Sequence, residues 1–228
     1  MNIQNTCCVV TGARGATGKI ITDTLCQAGA QVVGTRFGAG TPGSMESVND
    51  HCSLVEVDLT DPGAVRRAVR VILKQVRQVH VWINVVGGFD MGKQVEEVPS
   101  EAWQTMWSLN FLSCLHATQA ILPHFKANGV GRLINFGSAA VEDGMEAAGP
   151  YLVSKAAVHA LTLAVAREAR GNITCNALLP TIIDTPANRS AMPDADTRDW
   201  ISPETIATHI IDLIETGVNG QLVDCHSC

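Results

Sequence analysis

Tyr151 and Lys155 stand four residues apart in the stretch YLVSK, and Ser138 precedes the tyrosine by thirteen positions in INFGSAA. Hydride delivery to a carbonyl leaves charge on oxygen, so a proton donor must sit within hydrogen-bond reach and cycle its proton near neutral pH. Tyr151, the only tyrosine in the chain, is the candidate donor. A free tyrosine titrates near pH 10, and a lysine four residues on shares its helix face. Two unit charges about 4 Å apart in an effective dielectric of about 20 attract by roughly 4 kcal/mol. That is worth roughly three pKa units before desolvation is subtracted. A Tyr-x-x-x-Lys pair also arises by chance in many helices, so its meaning depends on its company.

The company includes a glycine turn. TCCVVTGARGATG reads as strand, turn and helix start, with Gly12, Gly15, Thr17 and Gly18 in the turn. Such a turn brings backbone close to a phosphate and leaves free N–H groups at the helix N-terminus. In dinucleotide folds an acid after the second strand accepts the adenosine ribose hydroxyl, whereas an arginine accommodates a 2'-phosphate. Here Arg36 in VVGTRF stands where the acid would, and Arg14 lies inside the turn. Two guanidinium groups at one end of a pocket can clamp a dianion. NADPH is therefore expected over NADH. The alternative, with Arg14 capping the turn and Arg36 facing solvent, leaves NADH open.

Elements to hold these residues are legible in the hydropathy. Short runs rich in β-branched residues recur at 7–10, 31–35, 54–57, 79–84, 131–136, 173–179 and 220–224. Between them, helical spacing covers 17–28, 61–77, 100–127, 150–170 and 203–216, the third ending near a plausible glycine C-cap in ANGVG. Near-continuous apolar strands imply burial on both faces. The pattern predicts a single α/β domain over 1–228: a Rossmann-type, doubly wound parallel sheet of about seven strands with helices on both faces. The stretch 180–204, rich in Pro, Asp and Asn, predicts a lid at about 185–200, since long irregular segments beside a sheet are often functional.

Composition limits the partners. The 228 residues, 46% hydrophobic and 17% charged, suit one globular domain. A net charge of -6 argues against nucleic acid or an anionic membrane as partner. No signal-peptide pattern or run of 18 apolar residues occurs, so a cytoplasmic address without a membrane span is expected. The eight cysteines sit mostly in apolar segments, as buried reduced thiols do. Cys225, His226 and Cys228 near the end lack a fourth partner for a tetrahedral site, so no metal is expected. His80, His116, His124, His159 and His209 show no metal spacing and read as packing or surface residues. Trp103, Met106 and Trp107 read as core or subunit contact.

Across nearly its whole length the sequence resembles the short-chain dehydrogenase/reductase family. The likeness is carried by TGARGATG, VD at 57–58, NVVGG at 84–88, Asn110 in SLNFLS, Ser138, Tyr151, Lys155 and PTIIDTP at 180–186. It implies that Asn110, Ser138, Tyr151 and Lys155 form the catalytic set. Ser138 would bond the substrate oxygen, Lys155 hold the nicotinamide ribose, and Asn110 anchor a water between lysine and solvent. It implies cofactor contacts at Asp58 and Leu59, at Asn84, Val85 and Gly87, and at Pro180, Ile183 and Thr185, where a segment closes over the nicotinamide. A narrower likeness, in GARGATG, GGF and LPTIIDTPANRSAMPDAD with the following Trp200, is to dihydropteridine reductases, a subgroup that has an arginine in the turn yet prefers NADH. Ser138 is a departure from that subgroup.

A reductase of a small, cyclic carbonyl compound follows as the expectation, with a quinonoid dihydropterin as the alternative substrate and a homodimer or homotetramer as the assembly. Phe89, Met145, Met192 and Trp200 would supply apolar and stacking surface, and Glu142, Asp143 or Glu146 would meet polar N–H groups. Two readings from other classes remain: a non-catalytic NADP(H) sensor, against which the Ser, Tyr and Lys set argues, and a structural protein of dimerising helices, which would bind no cofactor.

Overall fold

The computed structural model describes residues 1–38 and 44–225. His226 and Cys228, set aside above as metal ligands, lie outside the described residues. The strands are β1 (Cys7–Val10), β2 (Gln31–Arg36), β3 (Met45–Asn49), β4 (Cys52–Glu56), β5 (Val81–Asn84), β6 (Val130–Phe136), β7 (Asn172–Pro180) and β8 (Leu222–Cys225). They form one sheet in the order β3-β4-β2-β1-β5-β6-β7-β8. Every pairing is parallel except β3 with β4. The expected seven strands are thus joined by an eighth. Sequence reading passed over β3 because MESVN is polar and mostly exposed, so it lacks the apolar run that marks a buried strand.

The helices are α1 (Ala16–Gln27), α2 (Pro62–Gln75), α3 (Ser100–Met106), α4 (Ser113–Asn128), α5 (Ala140–Asp143), α6 (Gly149–Glu168), α7 (Pro186–Ala191) and α8 (Pro203–Thr216). Alternation along each strand sends side chains to two cores. Cys8, Val10, Val81 and Ile83 pack with Ile21 and Leu25 of α1 and Ile206 and Ile210 of α8. Cys7, Val9, Trp82 and Leu133 pack with Ile72 of α2, Ile121 and Phe125 of α4 and Val165 of α6. The ends of these helices have local causes. Asp61 caps α2 by accepting from the Gly63 amide at 2.7 Å, with Pro62 in the first turn. Ser202 caps α8 in the same way through Thr205. Gly129, at φ 67°, ends α4 in the left-handed conformation.

The helix expected over 100–127 is present, but it carries a π-helical segment, Trp107–Leu112, between α3 and α4. The described cysteines are all free, and all but Cys26 are buried. Among the described residues no helix is long and apolar enough to cross a membrane, and no three His, Cys, Asp or Glu side chains group to hold a metal ion.

Candidate active site at the strand ends

The glycine turn sits at the end of β1. Gly12 has φ +67°, a conformation that favours glycine, and a Cβ there would meet Val86 at 2.9 Å. A Cβ on Gly18 would lie 2.2 Å from the Gly12 carbonyl oxygen, so the start of α1 approaches the turn as only glycine allows. Gly15 is the N-cap of α1 and has no side chain to cap it. The first amides of a twelve-residue helix are left for a ligand, which suits a pyrophosphate. Thr17 lies in that first turn. Thr11 ties the turn to the exit of β5, its hydroxyl accepting from the amides of Val85 at 2.8 Å and Val86 at 3.2 Å.

The adenosine end is more crowded than two free arginines would make it. The Arg36 Nη2 lies 2.9 Å from a Glu46 carboxylate oxygen and 2.8 Å from one of Glu56, and Nε donates to Glu56 at 2.9 Å. Arg36 faces Glu56 in register across β2 and β4, while Glu46 arrives on β3. Arg14 is exposed and makes no ion pair among the described residues. Asp58 turns its carboxylate onto Thr60, accepting from the amide at 2.8 Å and the hydroxyl at 2.6 Å, and Leu59 is buried beside it.

Asn84 is placed differently from a ligand contact. Its side chain donates to Asn135 at 2.9 Å and accepts from the Trp82 indole at 2.9 Å, so it knits β5 to β6 inside the sheet. Val85 and Gly87 lie just beyond it, past the end of β5, Val85 half-buried and Gly87 exposed.

The catalytic candidates converge there. Asn110 sits in the π-helical segment, the kind of local widening that recurs at functional sites. Its Oδ1 accepts from the Gly88 amide at 2.7 Å, and its Nδ2 donates to the Gly88 carbonyl at 3.1 Å and to the Ser154 hydroxyl at 2.9 Å. A Cβ on Gly87 would lie 2.8 Å from Asn110 Oδ1 and 3.2 Å from Lys155 Nζ, so both side chains meet at that glycine. Ser138 is buried just past the end of β6, close enough to Tyr151 for its hydroxyl to act on the phenol.

The electrostatics differ from the simple pair. Burial pushes the Tyr151 hydroxyl above its ordinary pKa, and the neighbouring Ser138 hydroxyl opposes that rise. The lowering expected from Lys155 is not seen, because the ammonium is directed to the Phe136 carbonyl at 2.9 Å and lies 6.0 Å from the tyrosine ring centre. Burial brings Lys155 itself down to about 8.

Around this centre, Phe89 packs edge-on against Tyr151 with ring centres 4.9 Å apart and remains 55% exposed, so one face is open to a ligand. Met145 is exposed on the facing loop, which is held by Gln94 donating to Glu146 at 3.0 Å and Gly92 donating to the Ala147 carbonyl at 2.9 Å. Beyond Pro180, the end of β7, the stretch expected to form a lid at about 185–200 contains α7, capped by Thr185 accepting from the Asn188 amide at 3.2 Å. Its base is closed by a parallel bridge between Ile183 and Ile201. Met192 is half-buried behind α7. Trp200, expected to face the substrate, is 7% exposed beside Ile201 and offers little of its ring.

Sequence reading grouped His159 with packing residues and missed its position. Its Nε2 accepts from the Ser138 amide at 3.2 Å. The stripe Tyr151, Lys155, His159 at four-residue intervals on α6 was the available signal.

The sequence pattern described as short chain dehydrogenase matches residues 6–196. The chain is 26% identical over 212 residues to a D-beta-hydroxybutyrate dehydrogenase of Rhizobium meliloti (strain 1021), covering 89% of this chain and 81% of that one. It is 30% identical over 195 residues to a 3beta-hydroxysteroid dehydrogenase of Mediterraneibacter gnavus, covering 83% and 70%. Among solved structures it is similar to the ligand-free aldohexose dehydrogenase of Thermoplasma acidophilum, with TM-score 0.84, 23% identity and coverage of 97% and 92%, a likeness of fold.

Proposed function

The chain belongs to the short chain dehydrogenase family of NAD(P)-binding oxidoreductases, and from that premise we propose that it reduces the carbonyl of a small, cyclic substrate using Ser138, Tyr151 and Lys155. The observation that carries this reading is the gathering of Tyr151, the neighbouring buried Ser138 and the buried Lys155, which is anchored on the Phe136 carbonyl at 2.9 Å. When bound, the nicotinamide supplies the hydride. Ser138 and Tyr151 hold the substrate oxygen between them, and Tyr151 delivers the proton as charge develops there. Lys155, anchored on the Phe136 carbonyl, holds the ribose and places a positive charge beneath the phenol. Asn110 keeps Gly88 in place at the crevice wall.

The residues fit a dinucleotide: an uncapped helix start, a turn that excludes side chains at Gly12 and Gly18, and a Gly87 whose lack of a side chain leaves room for Asn110 and Lys155 support it. NADPH is the preferred cofactor in this reading, through Arg36 and Arg14. Glu46 and Glu56 keep the margin small, because a 2'-phosphate gains Arg36 only by displacing the more exposed Glu46. Both curated relatives are named for hydroxy compounds, and with Ser138 this favours a carbonyl/alcohol couple over a quinonoid dihydropterin. Phe89 and Met145 form the apolar rim that favours a compact ring. Trp107, Val153 and Leu163, exposed apolar residues of the helical layer, support a homodimer or homotetramer.

The test is a panel of diketones, bicyclic ketones and quinonoid dihydropterin, followed by loss of reduced-nicotinamide absorbance with NADPH and NADH. Turnover of a compact ketone supports the reading. A kcat/KM on a long acyl thioester equal to that on any compact ring would overturn it.

A further inference from the structure

At the end of β6 the backbone loses a partner. Asn135 pairs with Asn84, the last residue of β5, and the ladder between the two strands ends at that pair. On the other side the contact with β7 continues, since the Gly137 amide donates to the Leu178 carbonyl at 2.8 Å and the Ala139 amide to the Pro180 carbonyl at 3.2 Å. Successive residues of a strand direct their polar groups to opposite neighbours, so the Phe136 carbonyl and the Ser138 amide face the departed β5. Both are interior groups that need partners. Helix α6 supplies them: Lys155 Nζ donates to the Phe136 carbonyl at 2.9 Å, and His159 Nε2 accepts from the Ser138 amide at 3.2 Å.

The imidazole is fitted to this place. A Cβ on Gly137 would lie 2.3 Å from His159 Nε2 and 2.5 Å from a Leu179 methyl, so the ring closes onto a backbone that only glycine leaves bare. His159 is 7% exposed. To accept from an amide, Nε2 must be without a proton, so the neutral ring carries its proton on Nδ1.

We propose that His159 is a positioning residue: its neutral imidazole holds the Ser138 amide and thereby aims the Ser138 hydroxyl at the substrate oxygen, and protonation of Nε2 releases it, so turnover falls on acidification. This rests on the reading above in which Ser138 bonds the substrate. A proton on Nε2 would set two N–H groups against each other, and the bond would be lost. The charged groups acting on the ring are Lys155, one turn back on α6, and Asp224 on β8. Burial first, and Lys155 second, hold the imidazole below its ordinary pKa, while Asp224 acts in the opposite sense. The neutral form is therefore complete above the ordinary value of about 6.5, and its contribution is lost as pH falls through the depressed folded value.

His159→Gln and His159→Leu, with the wild type, are assayed for kcat, KM and cofactor Kd from about pH 5 to pH 8. Glutamine can place an amide oxygen near the position of Nε2 and does not titrate in this range; leucine offers no acceptor. Leucine is expected to lower kcat about tenfold with cofactor Kd unchanged, and glutamine to recover most of that loss. The acid limb of the wild-type kcat profile should be flattened in His159→Gln. An acid limb that persists unchanged in His159→Gln overturns the proposal, as do equal kcat losses in both variants. If His159→Leu does not fold, the glutamine profile decides alone. Retained turnover in Ser138→Ala and Tyr151→Phe would overturn the functional reading itself. Inactive Ser138 and Tyr151 variants beside a fully active His159→Leu would overturn only the present inference.

Discussion

Lys155 Nζ donates to the Phe136 carbonyl at 2.9 Å and stands 6.0 Å from the centre of the Tyr151 ring. The lysine is thus fixed by the sheet rather than by the phenol, and it acts on the tyrosine as a held charge. The proton-donor role then depends on the Ser138 hydroxyl to orient the phenol and on the bound substrate oxygen to complete the set.

Tyr151→Phe removes the transferable proton and preserves the ring that Phe89 packs against. We expect kcat to fall by about a hundredfold or more, with cofactor Kd within about twofold of wild type. Retention of more than about a tenth of the activity would show that another group donates the proton.

Keeping Lys155 charged in its buried site has a cost that depends on pH. Its folded pKa of about 8 lies below the ordinary lysine value of 10.5, and each unit corresponds to about 1.4 kcal/mol. The unfolded chain holds the proton more tightly, so stability rises as pH goes from about 8 towards 10.5. Lys155→Met should abolish turnover and yet raise the melting temperature at pH 6.5. Its advantage should shrink across the alkaline range. A variant less stable than wild type at every pH would show that the bond to Phe136 outweighs the desolvation cost.

Glu46 competes for Arg36, and its carboxylate is the exposed one of the pair, at 57% against 17% for Glu56. Glu46→Gln should tighten NADPH several-fold and leave NADH nearly unchanged in fluorescence titrations. Arg36→Asp should weaken NADPH far more than NADH, because the new carboxylate repels a phosphate and accepts from a hydroxyl. Parallel changes for the two cofactors would mean that Arg36 does not read the 2'-phosphate.

Gly18→Ala would place a methyl 2.2 Å from the Gly12 carbonyl oxygen, against the backbone of Gly12 and Ala13. The turn must open to admit it, at a cost of about 1–3 kcal/mol in stability. Chemical denaturation should show that loss, and titration should show both cofactors weakened together. Unchanged affinity would indicate that the pyrophosphate does not rest on this turn.

Periodicity and residue type alone carried the alternating α/β order, the strand–turn–helix around Gly12, Gly15 and Gly18, and the helix bearing Tyr151 and Lys155, because each is encoded within a few neighbouring residues. The same local reading missed β3, whose polar, exposed residues become a strand by pairing with β4. It also could not see that Arg36 is claimed by Glu46 and Glu56, that Asn84 spends its side chain on Asn135 and Trp82, or that Trp200 is buried. Those outcomes depend on which groups are brought together from distant parts of the chain. His159 is the sharpest case. Its type and spacing were visible from the start, but the amide it serves loses its strand partner only because β5 and β6 part in three dimensions. A residue's partner is decided by where the sheet leaves a polar group unmet, and no stretch of sequence contains that information by itself.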